Sequence, residues 1–181
     1  MKKILIGLLI LALISGCASP PQNTTSNSTE NSTVQTHIAL CQFNNGLPDP
    51  NCTAGSIDTA VNQNNIQETI CIAGYTEKIR PSTSYTDSLK NVSIRDYNYA
   101  DMDMSDYEED HLIPLELGGN PVTVNNLWAE PYYGQYNAKD KDKLENYLHK
   151  QVCDGIMNLA EAQKEISTNW IQYYNEYGLA S

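Results

Sequence analysis

Positively charged residues are scarce in this chain. Its 181 residues contain 11 Lys and Arg against 22 Asp and Glu, which gives a formal net charge of −11 at neutral pH and a pI near 4.5. Domains that bind nucleic acids through a basic surface commonly have a pI above about 9. Composition alone therefore argues against a DNA- or RNA-binding protein, an expectation that the motifs below oppose.

The sequence also lacks an apolar run long enough to span a bilayer comfortably, although it begins with a shorter one. Two lysines precede the uncharged stretch 4–14, which has the length and charge pattern of a signal-peptide core. The stretch leads into Ser15-Gly16-Cys17, which resembles the cleavage site of bacterial lipoproteins. We therefore expect a signal peptide over 1–16 and a Cys17 that carries diacylglycerol and palmitate. An ordinary secretory signal is the alternative.

A polar, low-complexity stretch separates this leader from the rest of the chain. Residues 17–36 consist mainly of Ser, Thr, Asn, Gln and Pro, with a single charge at Glu30. Such a composition cannot bury enough apolar surface to fold. We expect a disordered tether here and a folded, monomeric domain over 37–181. The domain would be exported to the cell envelope of a bacterium and would contact the membrane through the N-terminal lipid only.

The remaining cysteines have the pattern of an exported protein. Four of them follow Cys17, and none lies in the CxxC pair that is typical of zinc sites. An even number of cysteines in an exported chain predicts two disulfides, for which three connectivities exist. The turn-rich sequence between Cys41 and Cys52 favours their pairing. A Cys71–Cys153 disulfide would then tie the N-terminal part of the domain to its C-terminal part.

Hydrophobic spacing predicts a mixed domain with two helices at its C-terminal end. Apolar residues recur at helical intervals over 137–152 and again over 159–177. A short helix is predicted over about 82–90, and a strand that enters a turn over 69–76. The core positions predicted for the two C-terminal helices are Leu144, Tyr147, Leu148, Val152, Ala162, Ile166, Trp170 and Tyr173.

The residues with the clearest chemical character lie between 108 and 145. Asp110-His111 ends a strand-like stretch and is followed by Leu-Ile-Pro-Leu-Glu-Leu-Gly-Gly, then by Asn126-Leu127 and by Asn137 at the start of a helix. Successive side chains of a strand point to opposite faces. A bend at the end of this strand would let Asp110 face a metal ion while His111 faces a substrate.

This order of strand, loop, strand and helix, with these residues, resembles the ββα-metal core of HNH endonucleases. The wider chain is similar to exported bacterial proteins that carry an HNH signature, with matching segments at 47–53, 69–81 and 152–153, so that the resemblance covers about 41–175. It implies an α+β fold, namely a small disulfide-stapled domain whose ββα-metal core is followed by two C-terminal helices.

The resemblance implies a role for each matching residue. His111 would be the general base, and Asp110 would bind a divalent metal ion, with Asn137 as the second ligand. Asn126 would pin the loop between the strands and so orient His111. The oxygen ligands imply Mg²⁺ first, with Mn²⁺, Ca²⁺ or Zn²⁺ as alternatives. For Asn137 the alternative is a structural role as a helix N-cap.

Two hypotheses of function follow from the sequence. The first is a metal-dependent endonuclease that hydrolyses DNA or RNA with little sequence preference and binds it weakly and salt-dependently. Lys139 and Lys143 are candidate phosphate contacts, although their alternation with acidic residues also predicts a self-paired helix face. The second hypothesis is a non-catalytic surface lipoprotein that uses the same scaffold as a binding module, for which the twelve tyrosines would suit protein or carbohydrate contacts.

Overall fold

The computed structural model describes residues 41–180, so the predicted signal peptide, Cys17 and the predicted tether lie outside the described residues. This part of the chain combines helices with a small sheet, and the predicted mixed fold class is confirmed. None of its helices is long and apolar enough to cross a membrane. The elements are α1 (Tyr75–Ile79), α2 (Thr83–Asp96), β1 (Tyr107–His111), β2 (Leu127–Pro131), α3 (Ala138–Cys153) and α4 (Leu159–Glu176).

The two strands form an antiparallel pair that brings the motif residues to one end of the sheet. Asp110 lies opposite Trp128, and His111 lies opposite Leu127. The connection between the strands contains two short 3₁₀ turns, Leu115–Leu117 and Val124–Asn126. Helix α2 packs on both strands, and α3 packs on β1. The chain therefore places a strand, a loop, a second strand and a helix around His111.

The largest part of the core lies between α3 and α4. Leu144 and Leu148 of α3 and Ile166 and Trp170 of α4 are fully buried there. The indole nitrogen of Trp170 donates a hydrogen bond to the carbonyl of Gly46 at 2.9 Å. At Gly46 φ is +101°, and a Cβ atom would lie 2.8 Å from the Cβ of Tyr136. A side chain cannot be accommodated at this contact without movement of the backbone.

The two C-terminal helices were predicted within a residue of their observed bounds, and two of the predicted core positions pack at the edge of the core rather than inside it. Tyr147 and Tyr173 are only half-buried, whereas Tyr174 is buried. Asn169 has non-helical backbone angles (φ −164°, ψ 80°), which kink α4. The buried positions nevertheless continue at four-residue steps from Ile166 to Trp170 and Tyr174, so that Tyr173 lies beside the buried face.

The N-terminal half departs further from the sequence predictions. Residues 69–74 form turns rather than the predicted strand, and α1 begins at Tyr75. Within the described residues no strand lies beside this segment. Its neighbour is the end of α3, where Nε2 of His149 bonds to the carbonyl of Ile70. Helix α2 continues to Asp96, well beyond residue 90, and its last turn buries Ile94 in contact with the sheet.

Both predicted disulfides are confirmed. Cys41 pairs with Cys52 and Cys71 pairs with Cys153, with Cα–Cα distances of 6.0 and 5.6 Å. The second bond joins the turn before α1 to the last residue of α3. It thus ties the irregular N-terminal part of the domain to the helical core.

Candidate active site

The loop between the strands is held by the side chain of Asn126. Its Oδ1 accepts hydrogen bonds from the backbone N–H groups of Ile113 (3.0 Å) and Ser56 (3.1 Å). Its Nδ2 donates to the carbonyls of Ile113 (3.0 Å) and Asn120 (3.1 Å). The side chain is fully buried, and these four bonds use the whole hydrogen-bonding capacity of the amide. The side chain of Asn126 therefore ties the two ends of the loop that leaves His111, together with backbone bonds such as that from Asn120 to Ser56.

Two glycines allow this loop to pack closely. Gly118 has φ of +71°, in the left-handed region that favours glycine. At Gly119 a Cβ atom would lie 1.7 Å from the carbonyl oxygen of Ile113, which leaves no room for any side chain. Gly118 is thus required by its backbone conformation, and Gly119 by the close approach of the loop to Ile113.

His111 is held by a backbone carbonyl. Its Nε2 lies 3.0 Å from the carbonyl oxygen of Pro121, and the residue is 4% exposed. A carbonyl can only accept a hydrogen bond, so Nε2 carries the hydrogen and Nδ1 carries the lone pair. Burial lowers the pKa of the imidazole below 6.5, against the opposing effects of the Pro121 bond and the Asp110 charge. At neutral pH His111 is a neutral ring able to accept a proton at Nδ1.

Asp110 is paired with a buried lysine from α3. Nζ of Lys141 lies 2.6 Å from Oδ2 of Asp110 and 3.0 Å from the carbonyl oxygen of His111, and it also contacts Oε1 of Glu145. Lys141 is 1% exposed. Burial acts to lower its pKa, but the charges of Asp110, Glu145 and Glu130 outweigh that effect and raise it, so the ammonium group is charged.

A further buried carboxyl lies beside this pair. Glu130 is two residues beyond Trp128, the residue opposite Asp110, so its side chain lies on the same face of the sheet as Asp110. It is fully buried, and neither of its side-chain oxygens has a hydrogen-bond donor within residues 41–180. Burial and the neighbouring charge of Asp110 raise its pKa well above the ordinary value. Glu130 is thus a buried carboxyl that is protonated at neutral pH and can donate a hydrogen bond to Asp110.

Comparison with protein-family models, with curated proteins and with solved structures finds no match. The residues of the site combine a neutral imidazole that has a free lone pair, a carboxylate beside it, and buried carboxyl oxygens. Such a set can accept a proton from water and can bind a hard cation through oxygen.

Three other predicted site residues make contacts within the chain. Oδ1 of Asn137 accepts the backbone N–H of Lys139 at 3.1 Å, so Asn137 is the N-cap of α3. Nζ of Lys139 lies 5.9 Å from the centre of the Tyr132 ring. Nζ of Lys143 bonds to Oδ1 of Asp140 at 3.0 Å. Metal binding by Asn137 and phosphate contacts by the two lysines stay predictions.

Cys71, His149 and Cys153 form a separate group whose ligand atoms lie within 4.8 Å of one another. These side chains could hold a metal ion in the reduced protein. Their two sulfurs form a disulfide, however, and a disulfide offers no thiolate to a metal. The group therefore acts here as a covalent link rather than as a metal centre.

Sequence reasoning missed the buried set around Lys141. Lys141 is not among the candidate residues of the sequence analysis, yet it falls on the same helical stripe as the predicted core residues Leu144 and Leu148. A lysine on a core stripe signals a buried carboxylate partner, since lysine is almost never fully buried unpaired. Glu130 carried no comparable signal, because nothing in the sequence shows that β2 is buried on both faces.

Two cavities of the domain lie next to this site without including its residues. One, of about 320 Å³, is lined in part by Tyr97, Glu109 and Leu127. The other, of about 400 Å³, is lined in part by Asp49 and Leu112. Asp110 and His111 line neither of them. The candidate site is thus identified by the chemistry of its side chains rather than by a cavity.

Proposed function

We propose that this protein is a metal-dependent endonuclease of the HNH type, which hydrolyses phosphodiester bonds of DNA or RNA with little sequence preference. The observation that carries the proposal is the state of His111, a neutral imidazole whose Nε2 is held by a backbone carbonyl. Its free nitrogen is the group that a general base requires. The adjacent Asp110 and the surrounding strand, loop, strand and helix support the same assignment.

In this mechanism His111 removes a proton from the attacking water through Nδ1. The bond from Nε2 to Pro121 keeps the ring in the tautomer that leaves Nδ1 unprotonated. Asn126 acts one step further away, because it fixes the loop that carries the Pro121 carbonyl. Asn126 is thus a positioning residue for the base.

The residues present fit a divalent metal ion with oxygen ligands. Asp110 offers a carboxylate at the end of β1, and the oxygens of Glu130 lie buried without a donor in the described part of the chain. Hard cations such as Mg²⁺, Mn²⁺ and Ca²⁺ prefer such oxygen ligands, which places Zn²⁺ last among the candidates. When bound, the ion would stabilise the negative charge that develops on the phosphate and on the leaving oxygen.

Substrate binding would rely on few positive groups. The chain has an excess of 11 acidic over basic residues, so it offers little long-range attraction to a phosphate backbone. We propose Lys139 and Lys143 as phosphate contacts and expect binding that weakens steeply with salt. The two disulfides support a location in an oxidising compartment, in keeping with the proposed export and lipid anchoring at the cell envelope.

The second candidate function is a non-catalytic binding module. Two observations favour it, namely the ion pair that Lys141 makes with Asp110 and the low exposure of His111. A protein that already neutralises Asp110 with its own lysine needs no metal ion for stability. The two functions differ in one measurable property, the cleavage of nucleic acid in the presence of a metal ion.

A cleavage assay with the full-length protein in detergent micelles tests the proposal. Plasmid DNA and a structured RNA are incubated with Mg²⁺, Mn²⁺, Ca²⁺ or Zn²⁺, each with an EDTA control. We expect metal-dependent nicking by the wild type and by His149→Gln, a histidine outside the site, and a loss of at least a hundredfold in His111→Ala. Absence of cleavage with every metal and substrate favours the binding module.

A further inference from the structure

We propose that Glu130 and Glu145 complete a divalent-cation site with Asp110, and that the ammonium group of Lys141 occupies this site until the cation displaces it. The inference rests on the proposed function and deepens it, because it names the ligands and a resident competitor. It departs from the sequence prediction, in which Asn137 is the second ligand.

The strongest support comes from Glu130. It is 0% exposed, and both of its side-chain oxygens lack a hydrogen-bond donor in the part of the chain that the structure describes. Burial of a carboxyl group without partners costs free energy. Because Glu130 lies next to Asp110 on the same face of the sheet, its oxygens would bind the cation together with those of Asp110.

The ammonium group of Lys141 is itself a cation, and its contacts show which carboxylate oxygens can bind one. Its ammonium group contacts Oδ2 of Asp110 and Oε1 of Glu145 at the same time. The carboxylate oxygens of Asp110, Glu130 and Glu145 are not all within ligand distance of one another, and Lys141 contacts both Asp110 and Glu145. The ammonium and a divalent cation would therefore use the same oxygens and compete for them.

The carboxyl groups outnumber the positive groups in this set. Three carboxyls surround one lysine, and burial raises the pKa of Glu130 and of Glu145, so that without a cation the set is neutralised by protons together with the ammonium group. A divalent cation binds carboxylate oxygens directly and would take the place of those protons.

Lys141 keeps one hydrogen-bond acceptor when the cation enters. Its Nζ already lies 3.0 Å from the carbonyl oxygen of His111, which belongs to the strand and not to the carboxylate set. The flexible four-carbon stem of lysine lets the ammonium keep this bond while it leaves Asp110 and Glu145. Cation entry would then change the side-chain contacts of α3 without unfolding it.

Mn²⁺ binding to the full-length protein in detergent micelles, followed by calorimetry and by electron paramagnetic resonance, tests the exchange. We expect Lys141→Met to bind Mn²⁺ at least tenfold more tightly than the wild type, because the competitor is gone. Its melting temperature should be low in EDTA and should rise strongly with Mn²⁺. Lys150→Met is the matched control, since this lysine of the same helix pairs at the surface with Asp154 and should leave Mn²⁺ affinity unchanged.

Glu130→Gln provides the second variant. It keeps the shape of the side chain and cannot ionise to bind a cation, so it should fold even if Lys141→Met does not. We expect it to bind Mn²⁺ at least tenfold more weakly than the wild type. Unchanged Mn²⁺ affinity in Glu130→Gln, or no tighter binding in a folded Lys141→Met, would overturn the proposal.

The outcomes separate this inference from the proposed function. Mn²⁺ binding that depends on Glu130, without cleavage of any nucleic acid, would support the cation site and contradict the endonuclease. Cleavage that requires His111, with Mn²⁺ affinity that is the same in Glu130→Gln and wild type, would support the endonuclease and contradict this ligand set.

Discussion

The side chain of Asn126 pairs with the backbone of Ile113 in both directions, accepting from its N–H and donating to its carbonyl at 3.0 Å each. An amide side chain that bonds to both the N–H and the carbonyl of one residue makes the two hydrogen bonds that a neighbouring strand would otherwise make. Since Ile113 is two residues beyond His111, this pairing fixes the chain where it leaves β1. The geometry of the candidate base therefore depends on a residue outside the two strands.

Asn126→Asp should be strongly destabilising. The carboxylate cannot donate to the carbonyls of Ile113 and Asn120, so two buried acceptors lose their partner and a charge is buried as well. We expect a loss of about 2–4 kcal/mol in the free energy of unfolding, measured by urea titration at pH 7. Asn125→Asp, at an exposed neighbouring position, should stay within about 0.5 kcal/mol of wild type. Equal losses in the two variants would contradict this account.

Glu109 should make stability depend on pH. Its Oε2 is buried without a hydrogen-bond partner within the described residues, and burial followed by the charge of Asp110 raises its pKa to about 8. In the unfolded chain the same group titrates near 4.5. The folded state thus binds the proton more tightly, and its stability falls as pH rises from about 4.5 to 8.

Glu109→Gln removes this dependence, because glutamine does not titrate. We expect the melting temperature of the variant to exceed that of the wild type by more at pH 9 than at pH 5. Differential scanning calorimetry at the two pH values checks this. A difference between the proteins that is the same at both pH values would show that Glu109 titrates normally.

The two disulfides should contribute unequally to stability. Their cysteines are separated by 11 residues in Cys41–Cys52 and by 82 in Cys71–Cys153. Closing the longer loop restricts the unfolded chain more, with contributions of about 3 and about 4.5 kcal/mol in the chain-entropy model. Paired Cys→Ser variants of each bond, compared by urea titration, should follow this order. A larger loss from opening Cys41–Cys52 would contradict it.

Local sequence signals predicted the parts of the fold that depend on local interactions. The apolar stripe that contains Leu144 and Leu148 defined α3, and the turn-rich loop between Cys41 and Cys52 defined the first disulfide. Residues 69–76 were wrongly predicted as a strand because they carry β-branched side chains. Their actual neighbour is the end of α3. The predicted Cys71–Cys153 bond gave this neighbour, but a single covalent link does not show which backbone conformation the segment adopts.

The candidate site was predictable only in part for a similar reason. Asp110, His111 and Asn126 stand in a recognisable order along the chain, and the structure brings them to one end of the sheet. Glu130 and Lys141 acquire their importance from burial against Asp110, which depends on how α3 packs on β1. The spacing of residues along α3 places Lys141 in the buried stripe of the helix. It does not show which carboxylate of the sheet Lys141 contacts.

The pH dependence of metal-supported cleavage tests the central claim, that neutral His111 is the general base. With saturating Mn²⁺, the cleavage rate of wild-type protein should rise with pH to an inflection below 6.5 and then level off, because burial lowers the pKa of this imidazole. His111→Ala should lose at least a hundredfold in rate and should lack the inflection. Cleavage by His111→Ala at the wild-type rate, with the same pH profile, would contradict the account.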